Sequence, residues 1–427
     1  MLDIKLIREN PQLVKRNLRK RNDPEVLRLL NELIEKDKKW RSGLQNLESM
    51  RRKRNDITRQ IADLKRTKKP GANKLISEMK ALPEKIRKKE DSVEKLQASV
   101  RLLLMKIPNL LHDSVPQGKD DSDNNVLRKW GNKPKFTFQP KNHQLLAEGL
   151  GLLDLDRAGK VSGAGFYFLK DELVLMDYAI QKFAMDFLMK RGYSVVLPPL
   201  MLRRKPYEGV TDLGDFESVM YKTEGEDLFL IATSEHPMAA MFMNETLEKG
   251  DLPIKMCALS PCFRREIGTH GKYTKGLFRV HHFNKVEQFV FCHPEDSWKY
   301  HEELQKNCEE LYQQLGLHYR VVNVCTGDIG SLAAKKYDTE IWMADGEFRE
   351  IGSNSNCTDY QARRLGIRFR EKEGAPPSGF VHTINNTALA TSRTMVAILE
   401  QYQQKDGSVL IPKALQPYMN GLKKLEK

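Results

Sequence analysis

Apolar positions in the first quarter of the chain fall into two helical stripes. After Asp23-Pro24, a pair suited to a helix start, Leu33, Trp40 and Leu47 recur every seven residues with Leu30 and Leu44 alongside. Met50, Ile57 and Leu64, with Ile61, continue the stripe, and the three-residue step from Leu47 to Met50 shifts its seam. A break at Lys68-Lys69-Pro70-Gly71 follows. Met79, Ile86, Val93 and Val100 then keep heptad spacing beside Leu82, Leu96 and Leu103, with Lys89 the one polar member. Pro83 inside this set predicts that the second helix starts or kinks there. Two striped helices joined by a short turn predict an antiparallel hairpin, about 50 to 60 Å long at about 1.5 Å per residue.

The pattern then changes. Pro108 to Pro140 is polar and turn-rich, and reads as a linker with an extended segment from Val126 to Phe138. His143 to Leu152 and Leu173 to Arg191 look helical, and Tyr193 to Leu197 is a short apolar strand stopped by Pro198-Pro199. Leu228 to Pro237 reads as a strand ending in Thr233-Ser234-Glu235. Cys262 to Phe291 reads as a hairpin: Phe263-Arg264-Arg265-Glu266, a loop with Gly268, Gly271 and Gly276, and an alternating return from Leu277 to Phe291. Two further strand-like runs, Tyr337 to Trp342 and Arg349 to Cys357, precede a helix from Thr394 to Leu399. The class is α+β, with the domains expected at 1–110, 111–140 (linker and first extended segment) and 141–427.

Charge sharpens the division. The chain carries a net +14, yet residues 1–110 hold 30 Lys and Arg against 15 Asp and Glu, and the remainder holds 41 against 42. A rigid basic rod suits RNA, whose A-form helices are recognised by shape and phosphates; a merely solvated basic face is the alternative. Arg51, Arg52, Lys53 and Arg54 cluster partway along the arm, two of them near the seam where the partner helix competes for them. Lys65, Arg66, Lys68 and Lys69 sit at its tip. The six cysteines form no C-x-x-C pair and read as free thiols, mostly buried. No apolar run reaches membrane-spanning length, and MLDIKLIREN is neither a secretory nor a transit signal, so cytoplasm is expected.

The candidate chemistry lies in the later segments. Arg264 and Arg279 offer planar forks for phosphate or carboxylate, Glu266 and Glu287 offer acceptors, and Phe283 a stacking surface. A surface hairpin with ordinary cross-strand ion pairs is the alternative for this segment taken alone. Thr233-Ser234-Glu235 reads either as a helix cap or as a small polar pocket with Glu235 suited to an ammonium. Glu350 and Ser353 are hard oxygen ligands of the kind magnesium accepts beside phosphates. No G-x-x-x-x-G-K-[ST], no G-x-G-x-x-G after a strand and no H-E-x-x-H occurs.

The Arg-x-Glu segment, Gly-rich loop and R-V-H-x-F return resemble the second signature motif of class II aminoacyl-tRNA synthetases, in the form of the seryl-tRNA synthetase family. The helix, strand and proline around 173–199 resemble the first motif, and Asn385-Asn386-Thr387 through Arg393 the third; with the arm, the likeness spans nearly the whole chain. It implies a coiled-coil arm that clasps tRNA(Ser), with tRNA(Sec) a further candidate, and an antiparallel sheet flanked by helices that activates L-serine with ATP and Mg2+. It assigns catalysis to Arg264, Glu266 and Arg393, and serine binding to Thr233, Ser234, Glu235, Arg264, Glu287, Asn385 and Thr387. ATP falls to Arg264, Arg265, Glu266, Val280, His281, Phe283, Glu350, Ile351, Gly352, Ser353 and Arg393, with magnesium at Glu350 and Ser353. Arg393 is expected on one face of adenine and Phe283 on the other. It also implies a homodimer through the first motif.

Three positions depart from the family pattern. His282 stands where Gln is commoner, Tyr273 where Asp is, and Gly165 where Arg is. Two other readings stand beside the synthetase. A relative that loads a carrier protein would lack the basic arm, and a non-enzymatic RNA-binding paralogue would have lost phosphate or magnesium residues, whereas Arg264, Glu266, Glu287, Glu350 and Arg393 are all present.

Overall fold

Asp23 accepts the Glu25 amide and Pro24 follows it, so the first long helix begins there and runs Pro24–Arg66. In the computed structural model, which describes residues 1–68, 70–212, 219–266 and 276–427, the chain divides into two compact units. One comprises Met1–Arg19 and Asp23–Pro108, the other Lys20–Asn22 and Asn109–Lys427.

The first unit is the hairpin with two short helices at its N-terminus. The second long helix, Ala72–Lys106, starts well before Pro83 and carries that proline inside it, so Pro83 does not start the helix. Leu47, Ile57, Leu82 and Ile86 form a core between the two helices, and a Cβ on Gly43 would lie 3.1 Å from the Val93 side chain, so glycine permits close approach there. The 43 residues of the first helix give about 65 Å, slightly more than the stripe suggested. Asp37 occupies a buried seam position, accepting from Arg8 at 2.6 and 3.0 Å and from Arg41 at 2.9 Å. Burial alone would raise its pKa, but the two guanidiniums outweigh it and hold the carboxyl below its usual range.

The second unit is built on one sheet of eight strands: β1 (Asn125–Trp130), β2 (Ser194–Val196), β3 (Ile254–Phe263), β4 (His282–Cys292), β5 (Tyr319–Asn323), β6 (Lys335–Trp342), β7 (Phe348–Thr358) and β8 (His382–Ala390). Their order is β1-β5-β6-β7-β8-β4-β3-β2, antiparallel throughout except the β2–β3 pair. Residues 111–140 belong to this unit instead of bridging two bodies. Leu111 and Val115 are buried with Val324 and Ile329, and β1 is an edge strand.

Alternation along β4 sorts its side chains by face. Val286 and Val290 join a core with Leu304, Leu311, Ile384 and Met395, beneath the helices Ser297–Gln314 and Thr391–Gln401. Phe289 and Phe291 join a second core with Met238, Met256 and Leu365. Phe283, Lys285 and Glu287 share that second face. The hairpin differs from its expected form: β3 ends at Phe263, before the Arg-x-Glu segment, and β4 begins at His282, after a turn at Gly276 and Leu277. The strand expected from Leu228 shrinks to Phe229–Leu230, and Glu235–Ala240 is helical. All six cysteines are buried free thiols, and no helix among the described residues is long and apolar enough to cross a membrane.

Candidate active site

Side chains from five separated segments meet at a cavity of about 190 Å3. The loop before the helix Glu235–Ala240 supplies Thr233, and the helix's first residue supplies Glu235. Arg264 follows the end of β3, Phe283 and Glu287 stand on β4, and Glu350, Ile351, Gly352 and Ser353 on β7. Asn385 and Thr387 come from β8, and Arg393 from the first turns of the last helix. A register shift between Thr387 and Leu389 opens the β8–β4 ladder beside the cavity, a usual device for re-aiming side chains at a site.

The floor is a buried charge network. The Lys285 ammonium lies 2.7 Å from Glu287 Oε2, and the Thr387 hydroxyl donates to the same oxygen at 3.2 Å. Glu235 Oε1 accepts from Gln361 at 3.0 Å and Asn385 at 3.1 Å. Burial and then the negative charge of Glu287 push Glu235 up to about 7, against the pull of Lys285. Tyr207 steadies this loop: its hydroxyl accepts the Ala232 amide at 3.1 Å and meets His236 Nδ1 at 3.0 Å. Burial lowers His236 to about 3, so the imidazole is neutral.

The rim carries the cations. Arg264 donates from Nε to the Ala232 carbonyl at 3.3 Å, and its guanidinium lies over the Phe283 ring at 5.3 Å. Arg393 lies over Phe278 at 4.9 Å and donates to the Glu350 carbonyl at 2.9 Å. Its charge is partly desolvated, which lowers its pKa while Glu350 opposes the change. Ser353 Oγ donates to Glu350 Oε1 at 3.2 Å. Half of the Glu350 side chain stays open to solvent in the cavity, and the surrounding chain shields the rest. That desolvation favours the acid, but Lys336, Arg393 and the Ser353 hydroxyl outweigh it and hold Glu350 well below the usual carboxylate range. Two oxygens this close, one firmly anionic, fit a single hard-cation coordination shell. Among the described residues no cluster of three or more His, Cys, Asp or Glu forms a cage, so such a cation would draw its other ligands from phosphates and water.

Other expected residues fall outside the lining. Ser234 is fully buried, with its Oγ unpartnered. Glu266, at a positive φ of 43°, accepts from Arg279 at 2.8 Å, and Arg265 is exposed. Val280 is buried behind the cavity, and His281 is held by the Tyr221 hydroxyl at 2.7 Å and stacks on Phe166 at 4.9 Å. His282 stacks on Tyr167 at 5.0 Å, a packed histidine. Gly165 has φ +83°, and a Cβ there would lie 2.6 Å from His281. Gly268, Gly271, Tyr273 and Lys69 lie outside the described residues. Lys285, Ser355 and Ala390 line the cavity without having been singled out. The alternation that placed Glu287 also places Lys285 beside it.

On the arm, Arg51 pairs with Glu90 at 2.6 Å and Lys53 with Glu78 at 2.5 Å, so both bridge the two helices. Arg54 donates to Asn55, and Arg66 pairs with Asp63 at 3.3 Å. Arg52, Lys65 and Lys68 are exposed.

Comparison with known proteins agrees across the whole length. Residues 1–111 match the seryl-tRNA synthetase N-terminal domain, and residues 216–402 match the tRNA synthetase class II core domain (G, H, P, S and T). A serine--tRNA ligase of Methanocella arvoryzae is 54% identical over 426 residues, 100% of both chains. The crystal structure of seryl-tRNA synthetase from Pyrococcus horikoshii complexed with ATP superposes with a TM-score of 0.95 at 48% identity, covering 100% of this chain and 99% of that one. A cytoplasmic serine-tRNA ligase from Naegleria fowleri in complex with AMP gives 0.90 at 34% identity, with the same coverage. The basic helical arm and the antiparallel sheet with its five-segment cavity thus share one origin: the chain belongs to the seryl-tRNA synthetase family of class II aminoacyl-tRNA synthetases.

Proposed function

We propose that this chain activates L-serine with ATP, forming seryl-adenylate and pyrophosphate, and then transfers the seryl group to the 3′ end of tRNA(Ser). The observation that carries this reading is one cavity with carboxylates at its floor and guanidiniums at its rim. A zwitterionic amino acid and a polyphosphate need that division of charge. Thr233, Glu235 and Asn385 surround the ammonium of serine. Glu235 is a carboxyl near neutrality when the cavity is empty, and the cation favours its ionised form. Glu287 and Thr387 take the substrate hydroxyl, so an alanine in the pocket would leave buried groups unpaired.

Arg264 draws the carboxylate of serine and the α-phosphate together, and Arg393 neutralises the far end of the triphosphate. Phe283 offers the base a ring to stack on, and the carboxylate of serine then displaces pyrophosphate in line. Glu350 and Ser353 would hold a magnesium ion. Such an ion, when bound, offsets phosphate charge and fixes the geometry of the leaving group. Glu266 is a support for Arg279 in this arrangement, and His281 and Val280 shape the wall behind Phe283.

The N-terminal region, residues 1–110, serves tRNA. Its exposed Arg52, Lys65, Arg66 and Lys68 supply phosphate contacts, while Arg51 and Lys53 hold the hairpin together. A homodimer through the helix Asp171–Met189 and β2 is supported by the edge position of β2 and by exposed Leu175, Tyr178, Val195 and Leu197. The test is ATP–pyrophosphate exchange with each amino acid in turn, then charging of total tRNA. Exchange with serine alone, followed by transfer, is expected; exchange with another amino acid would remove Glu287 and Thr387 from their roles.

A further inference from the structure

A buried histidine–glutamate pair stands behind the cavity, outside every role above. His143, at the start of the helix His143–Gly149, is 3% exposed, and Glu400 near the end of Thr391–Gln401 is fully buried. Leu277 donates its backbone N–H to His143 Nε2 at 3.2 Å, which makes Nε2 the acceptor and leaves the proton on Nδ1. Nδ1 lies 2.9 Å from Glu400 Oε1, and Glu400 Oε2 accepts the Ala344 amide at 2.8 Å. Gly276 completes the contact from the other side: its φ is +76°, and a Cβ there would sit 2.3 Å from Nε2.

The next residue, Phe278, gives its carbonyl to Arg393 Nε at 3.4 Å and lies under that guanidinium. Glu400 and Arg393 share one helix. The imidazole therefore ties the foot of the hairpin's return to the helix that carries Arg393, one peptide away from the ring that supports it. We infer that His143 is a positioning residue for ATP: its neutral ring, oriented by Glu400, fixes Leu277 and thereby the Phe278 platform on which Arg393 rests. This rests on the assignment of Arg393 to ATP.

The test is pyrophosphate exchange by the full chain, with ATP and serine varied separately, for the wild type, His143→Leu, His143→Gln and Arg393→Ala. His143→Leu removes the acceptor for Leu277, and the expected result is a KM for ATP raised about tenfold, the equivalent of one hydrogen bond, with the KM for serine unchanged. His143→Gln, which offers both an N–H and a carbonyl, restores part of the loss. Should the leucine variant not fold, Gly276→Ala presses on the same ring, and the same split between the two KM values is expected of it. Equal shifts in both KM values, or a lowered Tm with neither changed, overturn the inference. If Arg393→Ala raises the KM for ATP while the His143 and Gly276 variants do not, the inference alone falls; if Arg393→Ala changes nothing, the ATP assignment falls with it.

Discussion

Lys285→Met removes the cation that pairs with Glu287. The ammonium and the carboxylate are 7% and 1% exposed and 2.7 Å apart, so neither gains much from water. Losing one partner of a buried pair costs about 3 to 5 kcal/mol, part of it recovered when the orphaned group takes up a proton. A protonated Glu287 presents a different hydrogen-bond pattern to the hydroxyl of serine. Both protein donors, Lys285 and Thr387, converge on Oε2, so the pair also holds the orientation of Oε1. If half of that energy is felt in serine binding, about 1.5 to 2.5 kcal/mol, kcat/KM for serine falls about 12- to 60-fold at about 1.4 kcal/mol per decade. The assay is pyrophosphate exchange at saturating ATP, with the KM for ATP measured in parallel and the fold checked by circular dichroism. A folded Lys285→Met protein whose kcat/KM for serine stays within about threefold of the wild type would refute the reasoning, since one hydrogen bond to a charged group is worth more than that.

The affinity for serine should rise with pH through about 7, because Glu235 titrates there in the empty protein. Its folded pKa lies above the unfolded value, so protonation favours the fold at low pH, and this contribution is lost as the pH rises through about 7. Glu235→Gln should flatten the profile of the KM for serine. Gly165→Arg, which restores the residue commoner in the family, should cost about 1 to 2 kcal/mol in chemical denaturation from the positive φ alone, and more from the contact with His281. Replacing Lys65, Arg66, Lys68 and Lys69 with Ala should weaken tRNA binding and flatten its salt dependence while exchange of pyrophosphate stays nearly intact, measured by filter binding across salt concentrations.

The heptads showed the arm because helical burial repeats at fixed spacing, and Ile86, Val93 and Val100 are buried together with Leu82 and Leu103. Asp37 was invisible to that logic, since its place in the seam depends on Arg8 from a different helix. Motif order revealed most of the cavity lining, and alternation on β4 held the further residue Lys285. Local sequence failed where a distant partner decides. The supposed linker is fixed by Val324 and Ile329, some 200 residues later. His143 carried no signal, because Glu400 and Leu277, which hold its ring, lie more than 130 residues away.

The order of strands bears on how the protein is made. β8 is the last of the eight to leave the ribosome, yet it lies between β7 and β4 and is the ladder that joins them. A nascent chain that has emerged only to Gly379 holds two groups of strands without the ladder that joins them. It lacks Asn385, Thr387 and Arg393 as well. Contacts between residues so far apart in sequence form late, after the long loops between them close. A nascent fragment that stops before β8 therefore lacks part of both the floor and the rim.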